Sequence, residues 1–206
     1  MHIVFVRHGE TAYNATGRYQ GHTQISLNER GFAQATVVAQ RLRRDRFDAI
    51  YSSDLRRAVQ TAEAIAAHHE VAIQQHPGFR EIDVGLWEHL TVSEIATQYP
   101  QHYAIYQHTP GRAMYTGGES YAMMQLRAME ALMDVIDQHP TDAHICIVCH
   151  GGTIRALVCA FLHLDIDYYP RMWIDNCAIT RVTYQNTIFR IGSINDNAHA
   201  EPDWRE

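Results

Sequence analysis

The sequence predicts an α/β fold, a three-layer α/β/α sandwich with a mainly parallel central sheet. Short apolar, β-branched segments alternate along the chain with segments whose apolar residues recur at helical spacing. Strands that alternate with helices usually form a parallel sheet with right-handed crossovers. Residues 144–149 are apolar almost without interruption, which is typical of a strand covered on both faces. The length of 206 residues favours a single domain over residues 1–206.

In the amino-terminal part of the chain, strands and helices are predicted in regular alternation. They are a strand over residues 2–6, a helix over 29–44, a strand over 47–51, a helix over 55–68 and a short strand over 71–73. Asn28 is a good N-cap for the first of these helices, because its side chain can accept a hydrogen bond from a free backbone N–H.

The carboxyl-terminal part is predicted to contain longer helices and a final pair of strands. They are helices over 91–99, 119–138 and 153–162, the strand over 144–149, and strands over 178–184 and 187–194 with a turn at Asn186. The least regular stretch, residues 86–118, contains Pro100, Pro110 and Gly111. It predicts a helical insertion over a site rather than a second domain.

The composition is acidic, and it excludes several kinds of chemistry. Seventeen basic residues against 23 acidic ones give a net charge of −6, so nonspecific binding of nucleic acid is not expected. Every basic residue is arginine. Without a lysine, a Walker A loop, a Schiff base and a Ser-x-x-Lys hydrolase site cannot operate. Arginine, histidine, a helix N-terminus or a metal must therefore hold an anionic substrate.

Nothing in the sequence predicts a membrane or secreted protein. The apolar run near Met1 is too short for a signal peptide, and no stretch approaches the roughly 20 residues of a membrane helix. The spacing of the four cysteines does not match a structural zinc site, so reduced thiols and a cytoplasmic location are expected. Although 14 histidines are present, no His-Glu-x-x-His motif occurs, and no metal or other cofactor is predicted.

Two predicted strands end in histidine followed by glycine. His8 and Gly9 follow the first strand, and His150 and Gly151 follow the strand over 144–149. A single pair of this kind could merely turn the chain. Because ligands bind at the carboxyl ends of parallel strands, two such pairs indicate a shared site. Glycine backbone and the start of the next helix suit an anion such as phosphate.

These residues belong to a series of segments that carry a resemblance to a known family. The segments are Arg7-His8-Gly9-Glu10-Thr11 with Asn14, and residues 53–62, 79–88, 117–120, 148–155 and 195–199. In this order they resemble the histidine phosphatase superfamily, which is phosphoglycerate mutase-like. The loop over residues 18–23 is similar to that of its small, broad-specificity phosphatase branch. The resemblance implies the phosphoglycerate mutase-like version of the predicted fold.

The resemblance also implies a role for each site residue. His8 would attack phosphorus and form a phosphohistidine, and Arg7 and Arg57 would help to keep its ring neutral. Glu81 would be the general acid and base, with Asp83 and Glu88 as rivals for that role. The remaining residues would bind the phosphate: Arg7, Arg57 and His150 at its oxygens, and Asn14, Gln20, Gly21 and Gly151 as further substrate-binding residues.

A cysteine-dependent phosphatase is a rival interpretation of the same segment. Cys149 and Arg155 have the Cys-x-x-x-x-x-Arg spacing of a phosphate loop in which a thiolate attacks and arginine grips the phosphate. If His8 is the nucleophile instead, Arg155 is expected to be an ordinary helical residue. A non-catalytic phosphate-binding protein is less favoured, because neither His8 nor Glu81 is missing.

The residues also bear on the choice between a phosphatase and a cofactor-dependent phosphoglycerate mutase. A mutase needs cations for the substrate carboxylate, and Arg112 is the only basic residue between residues 82 and 126. The same stretch contains aromatic residues that would suit less charged alcohols, namely Trp87, Tyr99, Tyr103, Tyr106 and Tyr115. A phosphomonoesterase is therefore predicted, with a mutase as the alternative.

The expected partners are small molecules. The predicted substrate is a phosphomonoester and the predicted product is inorganic phosphate, with no nucleic acid and no membrane involved. A homodimer is a possibility that the sequence leaves open. The polar tail over residues 197–206 is expected to be loosely held, with His199 as a contact to the domain.

Overall fold

Six strands form one sheet in the computed structural model, in which residues 1–201 are described. The strands are β1 (His2–Arg7), β2 (Ala49–Ser52), β3 (Ile73–Gln75), β4 (His144–Cys149), β5 (Ile179–Gln185) and β6 (Ile188–Asp196). The helices are α1 (Ala12–Ala15), α2 (Glu29–Leu42), α3 (Arg56–Ala66), α4 (Val92–Gln98), α5 (Pro100–His108), α6 (Tyr121–Asp137) and α7 (Gly151–Phe161).

The strand order in the sheet is β3-β2-β4-β1-β5-β6. The pairs β3–β2, β2–β4 and β4–β1 are parallel, whereas β5 and β6 add an antiparallel hairpin at one edge. The prediction of a mainly parallel α/β sheet is confirmed. β1 and β4 lie side by side in the middle, although they come from opposite ends of the sequence.

Apolar clusters cover both faces of the sheet, which produces the three layers. Side chains alternate along β1, so that Ile3 and Phe5 join the cluster beneath α6 and α7, and Val4 and Val6 join the cluster beneath α2 and α3. The central strand β4 is buried on both faces, as its continuous apolar run predicts. This packing fixes the positions at which β1 and β4 end.

Several element boundaries differ from the predicted ones for local reasons. The third strand covers Ile73–Gln75 rather than residues 71–73, because pairing of Ile50 with Ile73 sets the register of this edge strand. α7 begins at Gly151, two residues before its predicted start. The predicted N-cap is confirmed, since the side chain of Asn28 accepts a 2.8 Å hydrogen bond from the Gly31 amide.

The insertion over residues 86–118 is helical, with α4 and α5 inside it. Thr91 caps α4 with its side chain, and Glu94 completes a capping box. Near the other end of the described chain, His199 contacts the carbonyl oxygen of Cys177 at 3.1 Å. The rest of the predicted loose tail, residues 202–206, lies outside the described residues. Within residues 1–201, no helix combines the length and apolar character needed to span a membrane.

Candidate active site

The two histidines that follow β1 and β4 lie side by side. Arg7 pairs with Cys149 at the ends of the two parallel strands, and the His8 amide donates a 3.0 Å hydrogen bond to the Cys149 carbonyl oxygen. The imidazole centroids of His8 and His150 are 5.1 Å apart, with the rings edge to face. Both side chains are buried, and the short distance between the rings places them in one site.

The contacts of His8 define its tautomer. Nδ1 lies 2.7 Å from the carbonyl oxygen of Gly9, which can only accept, so Nδ1 carries the proton. Nε2 therefore has a lone pair, toward which the Arg57 Nε–H donates at 3.3 Å. Burial and the charges of Arg57 and Arg7 lower the pKa of His8 well below 6.5. The ring is neutral at physiological pH, and Nε2 is available as a nucleophile.

His150 is held in a different way. Its Nε2 lies 2.9 Å from the hydroxyl oxygen of Ser53, and that oxygen also accepts a 3.3 Å hydrogen bond from the Leu55 amide. A hydroxyl can donate and accept at the same time, so the Ser53 hydroxyl can donate its proton to His150 Nε2. In that arrangement the imidazole proton is on Nδ1, which is buried and has no hydrogen-bond partner among residues 1–201. Burial, Arg57 and His8 together lower the pKa of His150 well below 6.5.

Two arginines lie beside the histidines. Arg57 is fully buried, and its guanidinium donates hydrogen bonds of 3.0 Å to the carbonyl oxygens of Thr23 and Gly21. Burial lowers the pKa of Arg57 to about 10, so the side chain remains charged at neutral pH. Arg7 donates to the carbonyl oxygen of Ile174. Backbone oxygens therefore hold these guanidinium groups in place.

A pocket of about 240 Å³ opens beside the paired strands. Its lining includes all the predicted site residues except one: Arg7, His8, Asn14, Gln20, Gly21, Arg57, Glu81 and Gly151. The exception is His150, which is fully buried and packs against His8. The pocket is smaller than the roughly 300–1,000 Å³ of drug-sized ligand sites, so it suits a small molecule.

Glu81 is the one carboxylate among the described residues that line this pocket. Its oxygens accept hydrogen bonds from the backbone amides of Ile82 at 2.9 Å and Gly152 at 3.1 Å. The rival carboxylates have other contacts. Asp83 accepts from the amide of Gly85, and Glu88 binds the backbone of residues 22–23. Neither rival lines the pocket.

The sequence analysis missed several residues that line the pocket, and its expectation for Arg155 was wrong. The further residues are Tyr19, Ile82, Val84, Tyr121, Gly152, Arg155, Met172, Trp173 and Ile174. Arg155 was expected to be an ordinary helical residue, but it lies one helical turn after Gly151 and therefore on the pocket side of α7. That spacing could have revealed it. Arg112, the cation considered instead, is bound by Asp165 and Asp167.

The aromatic residues of the insertion do not line the pocket, contrary to expectation. Trp87 and Tyr115 are buried against each other, with ring centroids 4.8 Å apart, and Tyr103 and Tyr106 pack around Trp87. These side chains form an apolar cluster with Tyr121, which does reach the pocket. The insertion therefore supports the wall of the pocket from behind, because burying the rings is more favourable than exposing them.

The cysteine-phosphatase interpretation is not supported. Cys149 is fully buried in the apolar cluster that contains Phe5 and Ile147, and burial raises its pKa well above the usual range of a thiol. It does not line the pocket. Within residues 1–201, no group of three or more histidine, cysteine, aspartate or glutamate side chains is placed to hold a metal ion.

The chain belongs to the histidine phosphatase superfamily (branch 1), whose family model matches residues 3–197. It is a phosphomonoester hydrolase of the phosphohistidine type that characterises this family.

Relatives and solved structures match the chain over most of its length. The chain is 32% identical to phosphoserine phosphatase 1 of Hydrogenobacter thermophilus, over 96% of this chain and 93% of that protein. It is also 32% identical to the probable phosphoglycerate mutase GpmB of Yersinia pestis, over 98% and 95% of the two chains.

Among solved structures, YhfR of Bacillus stearothermophilus has a TM-score of 0.92 at 29% identity, covering 97% of this chain and 99% of its own. A mutant phosphoserine phosphatase of Entamoeba histolytica, in complex with phosphoserine, has a TM-score of 0.86 at 30% identity, with coverage of 97% and 99%.

Proposed function

We propose that the pocket hydrolyses small phosphomonoesters and that His8 is the nucleophile. The observation that carries the proposal is the tautomer of His8, whose Nδ1–H is held by the Gly9 carbonyl while Nε2 is unprotonated beside Arg57. A neutral imidazole whose Nε2 is unprotonated, and whose lone pair only accepts a 3.3 Å hydrogen bond from a fixed guanidinium, can attack a phosphate whose charge the guanidinium offsets.

The reaction proceeds in two displacements. His8 Nε2 attacks phosphorus, and the bond between phosphorus and the leaving oxygen breaks as Glu81 gives its proton to that oxygen. Water then attacks the phosphohistidine and gives a proton to Glu81, and the bond between phosphorus and Nε2 breaks. Inorganic phosphate and neutral His8 result. The amides of Ile82 and Gly152 keep the Glu81 carboxyl group in one orientation through both steps.

The phosphate oxygens are bound by charged and neutral donors. Arg7, Arg57 and the Nδ1–H of His150 stabilise the charge that develops in each transition state. The Gly151 amide lies in the first turn of α7 and has no acceptor among residues 1–201, so it too can donate to the phosphate.

Asn14 and Gln20 complete the binding set, and Thr11 orients both of them. The side-chain oxygen of Asn14 accepts from the Thr11 amide at 3.1 Å, and that of Gln20 accepts from the Thr11 hydroxyl at 3.0 Å. The amide nitrogens of Asn14 and Gln20 can therefore donate into the pocket. Gly21 contributes mainly through its carbonyl oxygen, which holds Arg57.

A phosphoglycerate mutase is the second candidate. It is favoured by the resemblance to GpmB and by Arg155, a cation beyond the phosphate-binding residues. Mutase and phosphatase differ in whether water or a retained hydroxyl receives the phosphoryl group. Release of inorganic phosphate from 3-phosphoglycerate, with little isomerisation, would support the phosphatase. Rapid isomerisation with negligible release would establish the mutase instead.

The nucleophile is tested with p-nitrophenyl phosphate and a ³²P-labelled phosphomonoester. Wild type is expected to release phosphate and to yield an acid-labile, alkali-stable phosphoenzyme after an alkaline quench. His8→Ala should lose both. Cys149→Ser is the matched control and should retain both, because the thiol is buried away from the pocket. Loss of turnover in a folded Cys149→Ser variant, with an acid-stable phosphoenzyme in wild type, would contradict the proposal.

The setting we propose is cytoplasmic. All four cysteines are free and buried, which fits a reducing compartment. The partners in this setting are the small phosphomonoester and inorganic phosphate, without nucleic acid or a membrane. A homodimer remains a prediction, and measurement of the molar mass in solution would test it.

A further inference from the structure

Arg155 is a pocket residue that the reaction described above does not use. It lies on α7, and its Nε–H donates a 3.2 Å hydrogen bond to the carbonyl oxygen of Gly151. Its guanidinium carbon lies 5.2 Å from the centroid of the Tyr169 ring. Tyr169 is buried and stacks on Tyr121, with ring centroids 3.6 Å apart. One edge and one face of the guanidinium are therefore fixed by groups that cannot easily move.

The other edge of this guanidinium is available to a ligand. Within residues 1–201, the Nη atoms of Arg155 have no hydrogen-bond acceptor, and the side chain forms no ion pair. This contrasts with Arg112 and Arg127, which are paired with carboxylates. A guanidinium offers two parallel N–H donors from such an edge, which is the geometry that a carboxylate accepts.

The charge balance of the pocket also indicates a further anion. Its described lining residues include the cations Arg7, Arg57 and Arg155 and the single carboxylate Glu81. When Glu81 carries the proton that it gives to the leaving oxygen, the three guanidinium groups face only the phosphate dianion. One positive charge is then not neutralised, and an anionic group on the alcohol would neutralise it.

We propose that Arg155 binds a carboxylate on the alcohol portion of the substrate, and that this site therefore favours phosphomonoesters of small hydroxy acids. The inference rests on the proposed function, since the phosphate must be held at His8 and the leaving oxygen must face Glu81. Glu81 and Tyr121 both lie next to Gly152. A Cβ on Gly152 would be 2.2 Å from Glu81 Oε1 and 2.9 Å from Tyr121 Oη, so the carboxylate of Glu81 and the ring that supports Tyr169 border the same space.

The pocket volume of about 240 Å³ suits a carboxylate on a short carbon chain better than a second phosphate on a sugar.

The test compares two substrates that differ by one group. Phosphoserine carries a carboxylate that phosphoethanolamine lacks, while the amine and the primary phosphate ester are the same. Wild type should have a kcat/KM for phosphoserine at least about 10-fold above that for phosphoethanolamine, and Arg155→Met should lower the phosphoserine value by about 10- to 100-fold, mainly through KM. Its loss for phosphoethanolamine should be about 10-fold smaller. Arg155→Lys should retain part of the preference, because it keeps the charge without the paired donors.

Arg171→Met is the matched control. The Arg171 guanidinium also lies over a tyrosine ring, 4.7 Å from the centroid of Tyr168, but the side chain is exposed and does not line the pocket. This variant should leave both substrates unaffected. Circular dichroism and thermal melting establish that each variant is folded.

The possible outcomes separate the inference from the proposed function. If wild type cleaves p-nitrophenyl phosphate but does not prefer phosphoserine, the inference that Arg155 binds a carboxylate is wrong, whereas the proposed phosphatase function is still supported. Equal losses for both substrates in a folded Arg155→Met variant would also overturn it, since Arg155 would then bind the phosphate or support the fold. If no phosphomonoester is cleaved, the proposed function fails and the inference fails with it.

Discussion

The two strand ends that meet beside the pocket carry the same residue type in two different surroundings. His8 and His150 are both buried, both follow a central strand, and both have a pKa well below 6.5 because of burial and neighbouring positive charge. Their hydrogen-bond partners differ. A carbonyl oxygen faces Nδ1 of His8, whereas a hydroxyl faces Nε2 of His150.

This difference shows how a neighbour can assign the role of an imidazole. A carbonyl oxygen only accepts, so it places the proton on Nδ1 of His8 and leaves Nε2 as a nucleophile. The Ser53 hydroxyl oxygen accepts from the Leu55 amide, and its proton can be donated to Nε2 of His150; the imidazole proton of that ring is then on Nδ1. In the proposed reaction, His8 attacks phosphorus and His150 donates to a phosphate oxygen.

Replacing each histidine with asparagine tests this comparison and should have the largest effects on catalysis. His8→Asn removes the nucleophile and should lower kcat by about 10⁴-fold or more, with no phosphoenzyme. His150→Asn removes one donor and should cost about 10²- to 10³-fold while a slowly formed phosphoenzyme remains. Rapid-quench kinetics with labelled substrate measures both. Equal losses of phosphoenzyme would mean that the two rings do not have separate roles.

Two glycines near the histidines test whether each position serves catalysis or the stability of the fold. A Cβ on Gly152 would meet the Glu81 carboxylate at 2.2 Å, so Gly152→Ala should displace Glu81 and lower kcat by about 10²-fold with little change in the melting temperature. A Cβ on Gly9 would instead meet the backbone oxygen of Gly31 at 2.5 Å, so Gly9→Ala should lower the melting temperature. Steady-state kinetics and calorimetry separate the two results. A Gly152→Ala variant with normal kcat would contradict the assignment of Glu81.

Ser53 offers a smaller and more selective perturbation. Ser53→Ala removes the hydroxyl that faces His150, frees the ring to change tautomer, and should lower kcat by about 10-fold. Ser52→Ala is the matched control, because the Ser52 hydroxyl is also buried but donates to the backbone oxygen of Ser53 at 2.7 Å. Nitrogen NMR shifts of the imidazoles should report a change at His150 and none at His8. An unchanged His150 spectrum would refute the role given to Ser53.

The smallest expected effect is on the change of the free energy of unfolding with pH. In the unfolded chain both histidines have a pKa near 6.5, whereas in the folded protein the pKa is much lower. Below pH 6.5 the unfolded chain binds protons that the folded protein does not, so the free energy of unfolding falls by at most about 1.4 kcal/mol per pH unit for each histidine. Urea unfolding between pH 7 and pH 5 should show a steeper decline for wild type than for His8→Asn or His150→Asn. Equal slopes would show that the histidines do not contribute.

The sequence predicted the pocket residues around His8 better than those around Arg155. His8 and Gly151 belong to local patterns, because strand ends and helix starts can be read from neighbouring residues, whereas Arg57 was implied by the resemblance of residues 53–62 to the family. Arg155 was missed, since its use depends on which face of α7 meets the pocket. Met172 and Trp173 reach the pocket from the segment before β5, and no local pattern predicts that approach.

The insertion over residues 86–118 also shows that local patterns predict helices but not the direction of side chains. Its helical character follows from local periodicity and capping, and α4 and α5 are present. The direction of its aromatic side chains is decided by packing among distant residues. Trp87, Tyr106 and Tyr115 bury one another instead of facing the pocket. Composition alone could not distinguish these arrangements.

The order of strands in the sheet also has a consequence for biosynthesis. β1 and β2 are not neighbours, because β4 lies between them. A nascent chain that has emerged only as far as residue 143 lacks the strand that joins these two, and His8 has no companion ring. Until β4 has been synthesised, the edges of β1 and β2 that it joins are therefore unpaired, and the pocket between the amino- and carboxyl-terminal parts of the chain cannot form.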